Sequence, residues 1–279
     1  MKLVDTHAHL YWDSFKEDFD EIIKRCTDSG VTTIINVGVD VKLSTLAAEL
    51  ESDQIKLYST IGIHPHNSVK YLSSQSIHKD IKQLEKLYYT YPNKIVAVGE
   101  CGLDYFFDHA GLLPTNISED QAIKLQKELF KAQIDLAKKL NLPLIVHCRD
   151  DRSKNPQNSE AWDEVLKMID EHPTVLHCYS GLLKTTQQVL NMPNVLVSFA
   201  ATLTYPKNDY LREAVKILPL ERIVLETDCP FLPPQSKRGQ RNEPANISET
   251  TQIVADIKGV SLEKVAHQTS TNAARIFAF

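Results

Sequence analysis

The segment KLVDTHAHLYWDSFKEDFDEIIKRCTDSGVTTIINVGV, residues 2–39, shows the pattern that repeats along this chain. A short apolar, β-branched run at 2–10 precedes an amphipathic stretch that Gly30 ends, and a second apolar run follows at 31–39. Short β-branched runs are typical of strands, and apolar residues at three- and four-residue spacing are typical of helices. A glycine directly after such a stretch commonly ends a helix. The segment therefore predicts a strand–helix–strand unit.

The same alternation continues to the end of the sequence. Strand-like runs occupy residues 2–10, 31–39, 55–65, 94–104, 142–150, 174–181, 194–203 and 222–230, with helical patterns between them. Strict alternation favours a parallel sheet with helical crossovers. Eight units in a chain of 279 residues fit an α/β fold of the (β/α)8 TIM-barrel type, regular or distorted. A doubly wound open sheet is the alternative, and the absence of any shift in composition predicts one domain spanning residues 1–279.

The charge balance excludes one class of function. The chain carries 31 Lys and Arg against 36 Asp and Glu, a formal net charge of -5, which argues against coating nucleic acid or anionic membrane by charge alone. A nuclease whose positive charge comes from bound metal ions stays possible. The start of the chain shows no export signal, and no apolar run approaches a membrane span. With five cysteines expected to be reduced, we predict a cytoplasmic protein that does not contact membranes.

Polar residues stand where several of the predicted strands end. His7 and His9 are two residues apart on the first strand, so their side chains share a face. Other imidazoles and carboxylates follow the apolar runs of strands four, five, six and eight: Glu100, His147, His177 and Asp228. In a barrel these ends meet at one mouth, where four imidazoles and two carboxylates suit two divalent ions. The alternative is a set of hydrogen-bonded polar residues without metal.

Four cysteines directly follow these candidate ligands: Cys101, Cys148, Cys178 and Cys229. A zinc–thiolate site is one interpretation. Adjacent residues on a strand face opposite sides, however, so ligands that point into the barrel turn the cysteines toward the helices. We therefore expect small packing residues rather than thiolate ligands.

An ordered set of motifs extends from residue 5 to residue 246: DTHAHL, GIHPH, GECGLDY, PLIVHCRD, LHCYSG, LETDCPFL and RNEPAN. With this set the chain resembles the TatD family of metal-dependent deoxyribonucleases, within the wider amidohydrolase-like superfamily. The resemblance covers nearly the whole chain. It implies a TIM barrel that hydrolyses phosphodiester bonds in DNA as a 3′–5′ exonuclease, through a water activated by two divalent ions. The sequence leaves open whether these are Mg, Mn or Zn.

The resemblance also implies roles for individual residues. Glu100 bridges two metal ions, of which one is completed by His7, His9 and Asp228 and the other by His147 and His177. Asp228 and Glu100 take part in catalysis. His64 in GIHPH contacts the phosphate or protonates the leaving oxygen.

Substrate contacts are predicted for Arg149, His66, Tyr105, Tyr179 and Arg241, and Glu226 is predicted to orient a ligand histidine. An aromatic residue after a ligand motif, Phe231 included, could stack on a base or simply pack in the wall. The expected partner is DNA, single-stranded or at 3′ ends, with no obligate protein partner and a monomeric enzyme.

Two other functions compete with the nuclease. Metal-dependent barrels of related type hydrolyse small esters, amides or phosphotriesters, and many carry a lysine at the bridging position, where this chain has Glu100. The second alternative is a non-catalytic scaffold with an idle metal site. The connections after strands four and five are longer than usual for the family, which leaves the shape of the substrate groove open.

Overall fold

The computed structural model describes residues 1–71, 74–107, 113–153 and 155–279. The eight strands are β1 (Leu3–Ala8), β2 (Val31–Asn36), β3 (Lys56–Ile61), β4 (Ile95–Asp104), β5 (Leu144–Arg149), β6 (Thr174–Leu176), β7 (Val195–Phe199) and β8 (Ile223–Leu225). They alternate with helices along the chain, as the sequence pattern predicts.

The strands form a nearly closed parallel barrel. They lie side by side in chain order from β1 to β8, and every pair of neighbours is parallel. β8 meets β1 through a single bridge between Ala8 and Cys229, just beyond the end of β8. This arrangement confirms the (β/α)8 barrel and excludes the open doubly wound sheet.

Nine α-helices are present in the described ranges. They are α1 (Phe19–Ser29), α2 (Val41–Glu49), α3 (Ser74–Thr90), α4 (Glu119–Leu140), α5 (Glu160–Ile169), α6 (Leu183–Leu190), α7 (Asp209–Ile217), α8 (Ile247–Lys258) and α9 (Leu262–Phe277). None of these helices combines the length and the apolar character that a membrane span needs. The two connections that the sequence marks as long, after β4 and β5, include residues 108–112 and 154, which lie outside the described part of the chain.

The interior of the barrel is apolar at the beginnings of the strands. Val4, Val96, Ile145, Val175, Leu196 and Val224 each occupy the second position of their strand and pack in one buried cluster. Ala273 and Phe277 of α9 belong to the same cluster. Apolar packing thus fills the amino end of the barrel, and the buried polar residues are left to the carboxyl end, where loops can be shaped for function.

Glu100 and His147 lie inside their strands, so their predicted placement at strand ends is wrong in detail. β4 continues for four residues beyond Glu100 to Asp104, and β5 continues for two residues beyond His147 to Arg149. The register between β4 and β5 shifts between Val98 and Cys101, so Glu100 lies at an irregularity inside a strand. Such irregularities re-aim a side chain without ending the strand.

Gly102 allows β4 to lie unusually close to β5. Its φ is +134°, and a Cβ atom there would stand 2.0 Å from the carbonyl oxygen of His147. We expect Gly102→Ala to lower the free energy of unfolding by about 3 kcal/mol, from backbone strain and overpacking together. Denaturant unfolding measures this. Gly239→Ala is the control, because Gly239 has a φ of +84° with no atom within 4 Å of the added carbon. Equal losses in the two variants would contradict the close approach.

Candidate active site

A cavity of about 680 Å³ opens at the carboxyl ends of the strands. Its lining combines five of the six predicted metal ligands, all but His7, with a few aromatic and polar residues from the loops after the strands. Concave sites of this volume at this end of a barrel are where enzymes of the fold bind their substrates. The cavity is therefore the candidate active site.

A first cluster of ligand atoms forms around the Nε2 atoms of His7 and His9, which are 3.2 Å apart. The Oε2 atom of Glu100 lies 3.5 Å from His7 Nε2. The Oδ1 atom of Asp228 lies 3.7 Å from His7 Nε2 and 3.5 Å from His9 Nε2. Two imidazole nitrogens and two carboxylate oxygens thus converge on one point.

A second cluster uses the other oxygen of Glu100. Its Oε1 atom lies 3.0 Å from His147 Nδ1 and 3.1 Å from His177 Nε2. Each oxygen of this carboxylate therefore belongs to a different cluster. The structure brings all six predicted ligands together, and it places Glu100 between the two groups.

Hydrogen-bond partners on the far side of the rings determine which nitrogen carries a proton. His9 Nδ1 lies 2.9 Å from the carbonyl oxygen of Val37, which can only accept, so Nδ1 carries the hydrogen and Nε2 keeps its lone pair. His177 Nδ1 faces Glu226 Oε1 at 3.0 Å in the same way. His147 Nε2 faces Asp104 Oδ2 at 3.0 Å, which leaves the Nδ1 lone pair toward Glu100.

This donor set fits divalent cations. In the neutral histidines, lone pairs point at carboxylate oxygens about one hydrogen-bond length away, and such contacts repel unless a cation or a proton lies between the atoms. Two of the groups of side chains close enough to share an ion are His7–His9–Glu100 and His64–Glu100–His147. Imidazole nitrogen and carboxylate oxygen together suit zinc, manganese and related ions.

Burial and neighbouring charges decide which groups of the site hold protons. Burial favours a neutral Glu100, yet the surrounding histidines hold its pKa well below its usual range. Burial also disfavours the imidazolium form of His147, but hydrogen bonds to Asp104 and Glu100 raise the pKa of His147 to about 9. A cation that binds Nδ1 of His147 must therefore displace a proton at neutral pH.

This competition gives a pH dependence of metal binding. Below pH 9 His147 is mainly protonated. Burial disfavours the charged form of His177 as well, yet Glu226 and Glu100 raise its pKa well above the usual value, so we expect the affinity of the second cluster for a divalent ion to fall about tenfold or more for each pH unit below 9. Titration calorimetry in two buffers with different ionisation enthalpies measures the affinity and the protons released. His267→Ala, an exposed histidine of α9, is the control. An affinity that stays constant between pH 7 and 9 would exclude proton displacement.

His64 differs from the other histidines because it turns an N–H, and not a lone pair, toward Glu100. The backbone N–H of His66 donates to His64 Nδ1 at 3.2 Å, so the proton of a neutral ring is on Nε2, 3.4 Å from Glu100 Oε1. Burial lowers the pKa of His64 to about 4, which keeps the ring neutral at pH 7. Although His64 is close enough to share an ion with Glu100 and His147, its N–H is arranged to donate a hydrogen bond and not to bind a metal.

Asp5 connects β1 to the segment that carries Asp228. Its Oδ1 accepts the backbone N–H groups of His7 at 3.2 Å and Thr227 at 3.0 Å, and its Oδ2 accepts the hydroxyl of Thr227 at 2.5 Å. The backbone N–H of Asp228 donates to the carbonyl of His7 at 2.9 Å. Asp228 has a φ of +57°, an unusual conformation for an aspartate that clusters at functional sites.

Asn242 holds the turn after β8 in place. Its buried side-chain amide donates to the carbonyl oxygens of Thr227 at 2.9 Å, Phe231 at 2.7 Å and Leu232 at 3.3 Å. The residues that it holds flank Asp228 on both sides. A bracing role for Asn242 is predictable from the RNEP motif, but its partners are not, because they are backbone atoms that carry no sequence signal.

The predicted substrate contacts divide into two groups. His66 and Arg149 line the cavity, and His66 Nε2 lies 2.9 Å from Asp104 Oδ2. Glu226 lies beside His177, as predicted. Its Oε1 faces His177 Nδ1 at 3.0 Å and also accepts the backbone N–H of Cys178 at 2.7 Å.

The other three predicted contacts are not among the lining residues: Tyr105, Tyr179 and Arg241. Tyr179 is 1% exposed, packs between Trp162 and Phe199, and bonds Thr186 through its hydroxyl. Tyr105 packs against the core.

Arg241 pairs with Asp18 at 2.5 Å and stacks over Phe15. The structure does not bring these three side chains to the cavity, because tertiary packing turned each toward a partner that its sequence position does not reveal.

The cysteines follow the expected register with one exception. Cys101, Cys148 and Cys229 are buried in the apolar layer that the strands share with the helices, although Cys148 also borders the cavity. Cys178 is only partly buried and lines the cavity, so the expectation that it faces the helices is wrong. β6 ends at Leu176 and Cys178 has a φ of +41°, so strand alternation no longer applies at this position.

Two residues of the site were missed by sequence reasoning. Asp104 bonds both His147 and His66, and its position four residues after Glu100 on one strand was a usable signal. Trp12 lies at the mouth of the cavity beside Phe231, with ring centroids 5.6 Å apart. Trp12 stands in a loop, where no periodicity indicates the direction of a side chain.

The whole chain matches a known protein family. The family model described as TatD related DNase matches residues 4–278. The chain belongs to this family. A Bacillus subtilis relative called "uncharacterized metal-dependent hydrolase YabD" is 33% identical over 99% of this chain and 98% of its own length. The "3'-5' ssDNA/RNA exonuclease TatD" of Pantoea ananatis is 30% identical over 99% of both chains.

Solved structures agree with this assignment. The crystal structure of YJJV, a TatD homolog from Escherichia coli K12, superposes with a TM-score of 0.83 at 25% identity and covers 99% of this chain and 98% of its own. A TatD-family hydrolase from Entamoeba histolytica has the same fold, with a TM-score of 0.81 at 22% identity over 99% and 98% of the two chains. The predicted resemblance is confirmed, and the protein is a TatD-family metal-dependent hydrolase that acts on ester bonds.

Proposed function

We propose that this protein is an exonuclease that removes nucleotides from the 3′ end of single-stranded DNA with the help of two divalent cations. The observation that carries the proposal is Glu100, whose two oxygens belong to two separate clusters of ligand atoms at the floor of one cavity. A pair of cations bridged by one carboxylate suits phosphodiester hydrolysis. Relatives named as 3′–5′ exonucleases for single-stranded DNA and RNA support the same substrate class.

The metal ions are assigned to the two clusters. His7, His9, Glu100 and Asp228 would hold the first ion, and Glu100, His147 and His177 the second. Bound there, Mg, Mn or Zn ions would neutralise the scissile phosphate and supply an activated water. All six ligands come from one chain, which supports a monomer as the complete catalytic unit.

Asp228 is the proposed proton acceptor for the attacking water. Its side chain is 14% exposed, more than those of His7 and Glu100, and it borders the cavity. Burial raises the pKa of a carboxylate, yet the neighbouring histidines hold the pKa of Asp228 below its usual value, so it is ionised at neutral pH. An ionised carboxylate beside the substrate can orient a water and accept its proton.

His64 is the proposed hydrogen-bond donor to the phosphate. Its neutral ring presents Nε2–H toward the second cluster, where a phosphate oxygen would come to lie. A neutral imidazole N–H is a good hydrogen-bond donor but a very weak acid, so the geometry favours contact with the phosphate over protonation of the leaving oxygen. Arg149 lines the same cavity and supplies a fixed positive charge for the DNA backbone.

Shortening of end-labelled DNA tests this function. The protein is incubated with 5′-labelled and 3′-labelled single strands of the same sequence and with a blunt duplex, in Mg²⁺, Mn²⁺ or Zn²⁺ and with a chelator as control. We expect a descending ladder from the 5′ label and immediate release of the 3′ label, both abolished by the chelator. No shortening combined with turnover of bis(p-nitrophenyl) phosphate would favour a small-molecule hydrolase. No turnover of either substrate would favour a non-catalytic scaffold.

A further inference from the structure

Two exposed aromatic side chains stand at the mouth of the cavity. Trp12 is 40% exposed and Phe231 is 45% exposed, and their rings meet edge to face at 85°. The large hydrophobic residues exposed in the described part of the chain are Met1, Trp12, Leu46, Tyr89, Leu183, Ile217 and Phe231. Of these, Trp12 and Phe231 line the cavity. A pair of exposed aromatics inside a binding cavity indicates a ligand with an apolar, planar group.

Both residues are held by hydrogen bonds of their backbone. The backbone N–H of Trp12 donates to the carbonyl of His9 at 3.2 Å, and the carbonyl of Trp12 accepts the backbone N–H of Phe15 at 2.9 Å. The backbone of Phe231 is fixed at its N–H by the carbonyl of Asp228, at 2.9 Å, and at its carbonyl by Asn242. Rigid aromatic groups lose little conformational entropy when they bind a ligand, so this pair is preorganised for contact.

The pair is also close to the ligand clusters. The ring centroid of Phe231 lies 6.1 Å from that of His9, whose Nε2 belongs to the first cluster. In a nucleic acid, each base is one sugar away from its phosphate. A phosphate held at the clusters would therefore carry its base to the position of these two rings.

Apart from the proposed metal ions, charged side chains give the cavity little hold on DNA. Arg149 is the single Lys or Arg among the lining residues that the structure describes, while Glu100, Asp104 and Asp228 are acidic. Stacking of unpaired bases on aromatic rings is the other main source of affinity for single strands, and it does not depend on base identity.

We propose that Trp12 and Phe231 form a stacking platform for the unpaired base next to the scissile phosphate. The proposal rests on the nuclease function and identifies the residues that select single-stranded ends. A base in a duplex is stacked on its neighbours and paired, so it must first be freed before it can occupy the platform. The platform thus favours single-stranded over paired ends without reading the sequence.

Binding is tested with the metal-loaded protein and a single-stranded decamer whose phosphorothioate linkages resist cleavage. The chain has two tryptophans, Trp12 and the fully buried Trp162, so quenching of fluorescence by DNA reports on Trp12. We expect quenching by the normal decamer, and little quenching by one with abasic sugars at its three 3′-terminal positions. Trp12→Phe should abolish the signal. Equal quenching by the two decamers would overturn the platform.

Kinetics give an independent test. Trp12→Ala and Phe231→Ala should each raise KM for single-stranded DNA by about tenfold or more with a smaller change in kcat, since a stacked base contributes a large share of affinity. With the abasic substrate, KM should be the same for wild type and variants. Leu183→Ala, which removes an equally exposed apolar side chain away from the cavity, is the control and should change neither constant.

The outcomes separate this inference from the nuclease function. Shortening of DNA by the wild type with an unchanged KM in both variants would overturn the platform and leave the nuclease function intact. Base-dependent quenching without any shortening would support the platform and refute the nuclease function. If a variant loses its metal or its folded circular dichroism spectrum, its effect belongs to the fold and not to stacking. The quenching difference between the two decamers in the wild type then decides whether the platform exists.

Discussion

Replacing Glu100 with alanine is expected to lower the rate of 3′ shortening by about a thousandfold or more. The two oxygens of this carboxylate lie within 3.5 Å of histidine nitrogens in both ligand clusters, so one substitution removes a ligand from each proposed ion. It also leaves His147 and His177 without the negative charge that they face. We expect both loss of activity and loss of bound metal, measured by end-labelled DNA and by elemental analysis of the dialysed protein.

Glu100→Gln refines the same prediction. Glutamine keeps the shape of the side chain but offers one oxygen instead of two, so it can serve at most one cluster. We expect no more than one tightly bound ion and a rate close to that of the alanine variant. Glu51→Gln, at an exposed glutamate in the connection between α2 and β3, is the control and should bind metal normally. Two tightly bound ions in Glu100→Ala would disprove the bridging role.

Replacing Asn242 with alanine is expected to have the second largest effect. The buried amide donates to three backbone carbonyls in the turn after β8, and its own oxygen accepts the side-chain N–H of Asn246 at 2.8 Å. Each buried polar group that loses its partner costs about 1–3 kcal/mol, and we expect a total loss of about 3 kcal/mol. This corresponds to a fall in melting temperature of roughly 6–12 °C for a chain of this size.

The same variant should also lose activity, because the turn positions Asp228 and Phe231. Melting followed by circular dichroism and the rate of DNA shortening at 20 °C measure the two effects separately. Asn191→Ala is the control, since the exposed Asn191 makes a side-chain hydrogen bond to the backbone of its own helix. If Asn242→Ala melts like the control, the turn does not depend on this amide.

The fold was largely predictable from the sequence. Alternation of β-branched runs with amphipathic stretches is a local pattern, and a parallel strand needs a crossover before the next strand can pair beside it. The convergence of the candidate ligands was predictable for a related reason: a polar residue that follows a buried apolar run is costly to bury unless it is compensated by partners. His7, His9 and Glu100 could thus be recognised without any knowledge of the contacts between strands.

The residues that hydrogen-bond the candidate ligands were partly predictable. Glu226 stands two residues before Asp228, and the structure places it against His177. Asp104 was missed although it ends the predicted run 94–104, because only Glu100, the first charged residue after the apolar part of that run, was considered as a ligand.

The sequence by itself determined the barrel and the set of candidate metal ligands, because strand and helix periodicity and the polar ends of apolar runs are properties of short segments. Only the tertiary structure decided how the loops at the mouth are arranged. Trp12 contacts Phe231, which is 219 positions away in the sequence. Asn242 hydrogen-bonds the turn around Asp228, and Tyr179 packs in the core. These residues lie outside regular strands, where the alternation of faces no longer predicts which way a side chain points. The direction of each side chain is set by the local backbone angles and by its packing partners.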